Sequence, residues 1–181
     1  MKIGLIGDYN ATYLAHQAIP HALTLASQQL GISVAPEWIP TDTIDADDAL
    51  ANCAGIGCVP GSPYRSIEGA LRAIRVARET NCPFLGKGGS VCFVEGSQLA
   101  MAYGTLESNE MYHCNYGMNP VFADALTTGP LRQTAFDTGG AIRGVELTKH
   151  PFFVGTLFQP ERAALQGIAP PLVVAFLRNV Q

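Results

Sequence analysis

The feature that most constrains the fold is the alternation of short apolar runs with helical segments through the first half of the chain. The apolar runs span 2–6, 32–39, 55–59 and 83–86, and the helical segments span 12–30, 45–53 and 66–77. Runs of this length suit strands buried on both faces, whereas the other segments carry apolar residues close to helical spacing. Strand and helix in alternation predict a parallel, doubly wound sheet with helices on both faces.

The second half of the chain is typical of antiparallel structure. Four further strands are predicted, at 90–95, 131–136, 141–147 and 152–158, before a last helix at 170–180. Residues 137–140, with the sequence Asp-Thr-Gly-Gly, have the turn chemistry of a hairpin loop. We therefore predict an α/β fold with a mainly parallel sheet and an antiparallel extension. No linker or repeat interrupts the chain, so residues 1–181 are expected to form a single domain.

Composition limits the classes of partner. Charged residues make up 14% of the chain and the formal net charge is −4, without the clustered Lys and Arg that nucleic-acid phosphates require. The N-terminal apolar run stops at Gly7-Asp8, which is too short for a signal peptide or a membrane span. We expect a cytoplasmic protein that binds neither nucleic acid nor membrane.

The cysteines favour a reducing compartment. They are odd in number and lack CxxC spacing, at Cys53, Cys58, Cys82, Cys92 and Cys114. Most lie in apolar runs, so we predict buried free thiols rather than disulfides or a zinc site. The histidines also lack metal spacing, because His16 and His21 lie five apart and His150 precedes a proline. No metal and no cofactor is expected.

Two details of the helices are open to test. Pro20 lies within the first helical segment, so the helix either begins near Ile19 or is kinked at the proline. Ser66 has the chemistry to cap a later helix. The predicted apolar face of that later helix is Ile67, Leu71, Ile74 and Ala77.

Ligands of open α/β sheets bind at the carboxyl ends of the strands, which directs attention to the turns after strands one, three and four. The candidate ligand-binding residues in these turns are Asp8, Gly61, Ser62, Gly86 and Lys87. Asp8 has the alternative of capping a helix, and Lys87 is either an anion-binding group or an ordinary solvated lysine.

Two long stretches resemble one known family. Residues 59–86 are similar to the segment that leads into the nucleophile of the CTP synthase glutaminase domain, and residues 150–161 to the segment with its histidine and glutamate. The opening at 2–8 and Trp38-Ile39 resemble the first two strands of that domain. The resemblance covers nearly the whole chain and implies a class I glutamine amidotransferase-like domain with a flavodoxin-like fold.

The resemblance also implies a mechanism for active members of the family. A cysteine on a tight strand-to-helix turn attacks glutamine, a histidine activates the thiol, and a glutamate orients the histidine. Backbone N–H groups from a Pro-Gly-Gly loop and from the turn of the nucleophile bind the oxyanion.

This catalytic pattern is incomplete in the present chain. The fourth strand is followed by Lys87-Gly88-Gly89 rather than by a cysteine, and Gln159 stands where the family has its histidine. A glutamine amide exchanges no proton near neutral pH and cannot act as a general base. Glu161 matches the orienting glutamate, while Gly61 matches the oxyanion loop and Ser62 replaces its second glycine. We regard these four residues as remnants and expect no catalytic residue among them.

A deletion accounts for the missing cysteine better than a point substitution. Residues 97–103 resemble a helix well downstream of the family's nucleophile, and residues 90–95 resemble the strand before that helix. The nucleophile elbow, its helix and a following loop are then absent, by natural or engineered deletion, with residues 87–89 as a short bridge.

Three interpretations of function stay open on the sequence. The first is a degenerate relative without glutaminase activity, a binding or scaffold module for a glutamine-like molecule or a protein, with homo-oligomerisation also open. The second is a divergent amidotransferase or cysteine hydrolase that uses Cys114 or residues of a partner. Adjacent residues of a strand point to opposite faces, so His113 is not expected to pair with Cys114. The third is an elbow-deleted form of an active parent.

Overall fold

The strands of both halves combine into one sheet in the computed structural model, which describes residues 1–61, 63–85, 91–110 and 120–180. The described strands are β1 (Lys2–Ile6), β2 (Ala35–Ile39), β3 (Gly55–Cys58), β4 (Phe84–Leu85), β5 (Val91–Phe93), β6 (Glu107–Ser108), β7 (Leu131–Phe136), β8 (Ile142–Leu147) and β9 (Phe153–Thr156). The described helices are α1 (Leu14–Leu30), α2 (Ile67–Glu79), α3 (Gln98–Tyr103), α4 (Ala123–Thr127) and α5 (Pro171–Arg178). Short 3₁₀ turns include Thr41–Thr43, Asp47–Leu50 and Pro160–Gln166.

The order of the nine described strands is β2-β1-β3-β4-β9-β8-β7-β5-β6. The first five of these are parallel neighbours, with Ile6 beside both Ile39 and Cys58. From β9 onward every neighbouring pair is antiparallel. The predicted α/β sheet with a parallel part and an antiparallel extension is therefore confirmed, with four parallel and four antiparallel pairs among the described strands. Strand β9 joins the two parts.

Helices cover both faces of the parallel half. On one face, Leu23 of α1 and Leu172 and Phe176 of α5 pack with Ile3 and Leu5 of β1. The opposite face buries β1 and β3 against α2, through residues that include Ile6, Ile56, Ala73 and Ala77. Since successive side chains of a strand point to opposite faces, β1 supplies both clusters. Each fully buried large aliphatic or aromatic side chain contributes about 1.5–3 kcal/mol of transfer free energy.

Helix α1 begins at Leu14 and continues through Pro20, so the alternative in which it begins near Ile19 is wrong. Proline removes one intrahelical hydrogen bond. The buried residues Ala15 and Ala18 precede the proline, and Ala22 follows it on the same helix face. The burial of these alanines offsets the lost hydrogen bond. Tertiary packing therefore keeps the segment helical although proline disfavours a helix interior.

The cap of α2 is as predicted, but of its predicted apolar face only Ala77 is buried and Ile74 partly buried. Ser66 Oγ accepts a hydrogen bond from Gly69 N at 3.1 Å. Ile67 and Leu71 are 62% and 53% exposed, and the helix instead buries small residues such as Ala70 and Ala73. A Cβ atom on Gly69 would overlap the carbonyl oxygen of Thr41, so the chain approaches this face too closely for large side chains. The buried face of α2 therefore consists of small residues.

Two further predictions need correction. The segment 45–53 contains only the 3₁₀ turn Asp47–Leu50 rather than an α-helix. Cys92 is exposed because it alternates on β5 with the buried Val91 and Phe93, so its predicted burial is wrong. Cys53, Cys58 and Cys82 are free and half-buried. No helix in the described ranges has the length and hydropathy needed to cross a bilayer.

Candidate functional site

The candidate residues collect at the carboxyl edge of the parallel strands. Asp8 follows β1, Gly61 follows β3, and Gln159 and Glu161 follow β9. Cys58, Pro60 and Glu161 line one apolar cavity of about 60 Å³, which brings the ends of β3 and β9 together. The predicted site residues Ser62, Gly86, Lys87 and Cys114 lie outside the described residues.

Asp8 ties three loops together. Its carboxylate accepts hydrogen bonds from Arg65 N at 2.6 Å, from Thr41 N at 3.0 Å and from the Thr41 hydroxyl. Thr41 Oγ1 in turn accepts a bond from Ser66 N at 2.9 Å. Burial by itself would raise the pKa of Asp8, but the hydrogen bonds from Arg65 and Thr41 outweigh it and the pKa lies below its ordinary value. The carboxylate holds the loop that enters α2, close to the capping role predicted for it.

His16 is the second support of the loop after β3. The ring is 1% exposed. Asn10 N donates to His16 Nδ1 at 2.9 Å, and His16 Nε2 lies 2.6 Å from the carbonyl oxygen of Pro60. Because Nδ1 accepts an N–H, the proton must sit on Nε2, which donates it to Pro60. One side chain thus links the turn after β1 to the backbone immediately before Gly61.

Aromatic rings surround His16. Its ring centroid lies 5.9 Å from that of Tyr9, 5.2 Å from Tyr13 and 4.8 Å from Trp38. Tyr9 and Tyr13 remain 54% and 40% exposed, so they form the outer wall of this cluster. Rings at these distances restrict the rotation of the imidazole and keep its two hydrogen bonds aligned.

Gly61 adopts a backbone conformation that other residues avoid. Its φ is +127°. A Cβ at this position would lie 3.1 Å from the Tyr13 ring and 3.2 Å from His16 Nε2. Tyr64 adds a further constraint, since its hydroxyl donates to Val59 O at 2.6 Å. Both the positive φ and the close packing therefore require glycine at this position.

Gln159 and Glu161 form the other side of the site. Gln159 is 4% exposed and Glu161, the second residue of the 3₁₀ turn Pro160–Gln166, is 7% exposed. Gln159 Oε1 is buried without a hydrogen-bond partner among the described residues. A buried acceptor in this state is uncommon in folded proteins. An amide at this point can donate or accept a hydrogen bond but cannot carry a proton from one group to another.

The thiols near the parallel sheet are poorly suited to nucleophilic attack. Burial raises the pKa of Cys58 to about 12. Burial, followed by the nearby Cys53, raises the pKa of Cys82 to about 11. Burial likewise raises the pKa of Cys53, because its effect is larger than the lowering by the nearby Lys2. Because the thiolate is the reactive form, these three thiols are almost fully protonated near neutral pH.

Sequence reasoning located the edge of the sheet but missed its main support. Asp8, Gly61, Gln159 and Glu161 lie at the same edge of the sheet, as the strand order requires. The spacing of the histidines speaks only against metal binding by His16, and the nearest hint of its role in the sequence is an aromatic residue one helical turn earlier, Tyr13. Within the described ranges no group of three or more metal-ligating side chains lies close enough to hold an ion.

Comparison with known proteins places this geometry in context. No family model matches the chain. It is 26% identical to the CTP synthase of Sulfurisphaera tokodaii over an alignment of 236 residues, and 25% identical to that of Methanopyrus kandleri over 238 residues. Each alignment covers 98% of this chain and 44% of the relative, so the chain spans less than half the length of these curated relatives.

A solved structure shows the same fold. The glutaminase domain of Trypanosoma brucei CTPS with bound acivicin superposes with a TM-score of 0.84 and 17% sequence identity, over 99% of this chain and 93% of that one. The chain is therefore homologous to the CTP synthases over nearly its whole length and has the fold of a CTP synthase glutaminase domain.

Proposed function

We propose that this chain is a degenerate relative of the CTP synthase glutaminase domain, without glutaminase activity, that acts as a binding or scaffold module. The observation that carries the proposal is the buried Gln159, at the position where the sequence resemblance expects the family's histidine. The family's chemistry needs a group that takes a proton from the thiol and returns it to the leaving amine. A glutamine amide does neither.

The protonation of the nearby cysteine also supports the absence of glutaminase activity. Of the described cysteines, Cys58 lies nearest to the remnant site, because it lines the same cavity as Glu161. Its raised pKa of about 12 leaves very little thiolate at neutral pH. Neither Cys58 nor Gln159 therefore supplies the nucleophile or the base that the family's chemistry needs.

The length of the alignments supports loss of a segment. The aligned spans of 236 and 238 residues are longer than the 181 residues of this chain. The relatives therefore carry residues within the aligned region that this chain lacks. A deletion of the nucleophile elbow is consistent with this difference.

The loop around Gly61 supports retained binding. Asp8 and His16 hold it through hydrogen bonds to backbone groups, and Gly61 has a φ of +127° that other residues avoid. Well-ordered loops at the carboxyl ends of parallel strands are where α/β sheets bind their ligands. We infer a glutamine-like small molecule or a protein segment as the occupant of this edge.

The direct test is glutamine hydrolysis by the purified chain, measured as released ammonia and glutamate, with the T. brucei glutaminase domain as positive control. We expect no release above buffer. Calorimetric titration with L-glutamine in the same buffer measures binding apart from chemistry. Binding without hydrolysis, or neither, agrees with a binding or scaffold module.

A Cys114→Ser variant separates the rival function. Ammonia release by the parent chain that disappears in this variant would establish a divergent amidotransferase, and the proposal would be wrong. Treatment with an electrophilic glutamine analogue followed by peptide mapping gives an independent result. We expect no modified cysteine.

A further inference from the structure

A second cleft lies on the antiparallel half of the sheet, with a volume of about 330 Å³. It is lined by the start of α3 and by β7, β8 and the turn that follows β8. Its lining includes Gln98, Met101, Arg132, Thr134, Glu146 and Lys149. None of Asp8, Gly61, Gln159 and Glu161 lines this cleft, so it is separate from the candidate site described above.

Two buried polar atoms in this region lack hydrogen-bond partners. Thr134 is 5% exposed, and its Oγ1 contacts no donor or acceptor in the part of the chain that the structure describes. Gln98 Oε1 is in the same state. Gln98 Nε2 donates to His150 O at 3.4 Å, which assigns the oxygen of the amide as the unpaired atom. Such atoms are expected to bind a water or a ligand group.

Glu146 adds a carboxylate to the same cleft. It is 7% exposed, and its two oxygens accept hydrogen bonds from Gln98 N and Leu99 N, each at 2.9 Å. A carboxylate has about four acceptor directions, so each oxygen retains acceptor capacity. The inner wall of the cleft therefore combines three kinds of acceptor: a carboxylate, an amide oxygen and a hydroxyl.

The outer wall carries positive charge and apolar surface. Arg132 and Lys149 are exposed, and neither forms an ion pair within the described ranges, although Arg132 lies opposite Glu146 in the sheet register. Val94 and Met101, which also line the cleft, are 42% and 68% exposed. Methionine adapts its shape readily to an apolar ligand.

We propose that this cleft binds a free α-amino acid with an apolar side chain. The ammonium group of the amino acid has three N–H donors, which hydrogen-bond to the acceptors of Gln98, Thr134 and Glu146. Its carboxylate is directed to Arg132 and Lys149, as charge-assisted hydrogen bonds require. The cleft carries two acidic and two basic side chains, because Glu95 also lines it, so a zwitterion without net charge matches it. The volume is that of a small-ligand site.

The test is a calorimetric titration of the full chain with L-leucine, alongside two analogues that each lack one charged group. The analogues are 4-methylpentanoate, without the ammonium, and 3-methylbutylamine, without the carboxylate. We expect saturable binding of L-leucine below about 10 mM and a weakening of about tenfold or more for each analogue. Absence of saturation, or equal binding of an analogue, would overturn the proposal.

Variants locate the site. Thr134→Val keeps the side-chain shape and removes the hydroxyl, and Arg132→Gln removes a charge from an exposed side chain without risk to the fold. Each is expected to weaken L-leucine binding about tenfold, as loss of a hydrogen bond to a charged group does. Arg178→Gln, on the exposed end of α5, is the matched control and should leave binding unchanged. Binding that persists unaltered in Arg132→Gln would place the amino acid elsewhere and refute the assignment.

Discussion

The loop around Gly61 and the segment after β9 that contains Gln159, called the corner here, lie at the same edge of the sheet. They differ in how many of their polar groups have hydrogen-bond partners. In the loop, Asp8 and His16 bond to backbone groups at 2.6 to 3.0 Å. In the corner, the amide oxygen of Gln159 is buried without a partner among the described residues. The groups that shape the backbone are thus hydrogen-bonded, while position 159 holds a buried amide whose oxygen has no partner in the described ranges.

This difference has an energetic meaning. A buried hydrogen-bonded group contributes about 0.5–1.5 kcal/mol net to stability, whereas a buried group without a partner costs about 1–3 kcal/mol. The loop is therefore expected to stabilise the fold, and the corner to be neutral or destabilising.

The largest expected effect comes from His16→Ala. The change leaves Asn10 N and Pro60 O without their partner and opens a cavity beside Tyr13 and Trp38. We expect the free energy of unfolding to fall by about 3 kcal/mol, measured by urea denaturation.

His21→Ala is the matched control for His16→Ala, because His21 lies on the exposed face of the same helix. It should change the free energy of unfolding by less than about 0.5 kcal/mol. Equal effects of the two substitutions would show that the imidazole does not support the Gly61 loop.

Asp8→Asn should have an intermediate effect with a characteristic pH dependence. The amide retains one acceptor and brings N–H groups toward Arg65 N or Thr41 N, so we expect a loss of about 1–2 kcal/mol at neutral pH. The pKa of Asp8 is lowered from 3.8 in the folded state. Its stabilisation is therefore complete above that value and is lost as the pH falls through the lowered pKa.

Urea denaturation of the parent chain and of Asp8→Asn between neutral pH and the acid range checks this pH dependence. The difference in the free energy of unfolding should be constant at neutral pH and should shrink only in acid. A difference that grows as the pH falls would contradict the assigned role of the carboxylate.

The smallest expected effect is that of Gln159→Met. Methionine has a similar unbranched shape and needs no hydrogen bond. Because the amide oxygen has no partner in the described residues, we expect the free energy of unfolding to stay the same or to rise by up to about 1 kcal/mol. Thermal or urea unfolding measures it, with the exposed Gln166→Met as control. A loss of more than about 1 kcal/mol would mean that the corner is as well satisfied as the loop.

Much of the architecture follows from local patterns. The alternation of apolar runs and helical segments predicted the parallel half, the turn residues at 137–140 predicted the β7–β8 hairpin, and Ser66 caps α2 as expected. These predictions rest on interactions between residues close in the chain, or on the rule that such units combine in few ways. Strands β2 and β9 are shorter than the apolar runs that predicted them.

Other features depend on contacts between distant residues. The buried face of α2 is set by its approach to Thr41, which Ile67 and Leu71 could not reveal. The role of His16 depends on Pro60, 44 residues later, and no spacing rule connects them. A local pattern carries no information about the distance between two surfaces that meet only after folding.

The sequence by itself determined the class of fold and the absence of an imidazole at position 159, because periodicity and residue identity are properties of the chain alone. Only the tertiary structure decided that His16 holds the backbone before Gly61 and that Asp8 holds the backbone before α2. It also decided that a second cleft carries acceptors without partners in the described ranges. Hydrogen bonding and burial depend on which groups are neighbours in space. The order of residues determines those neighbours only through the whole fold.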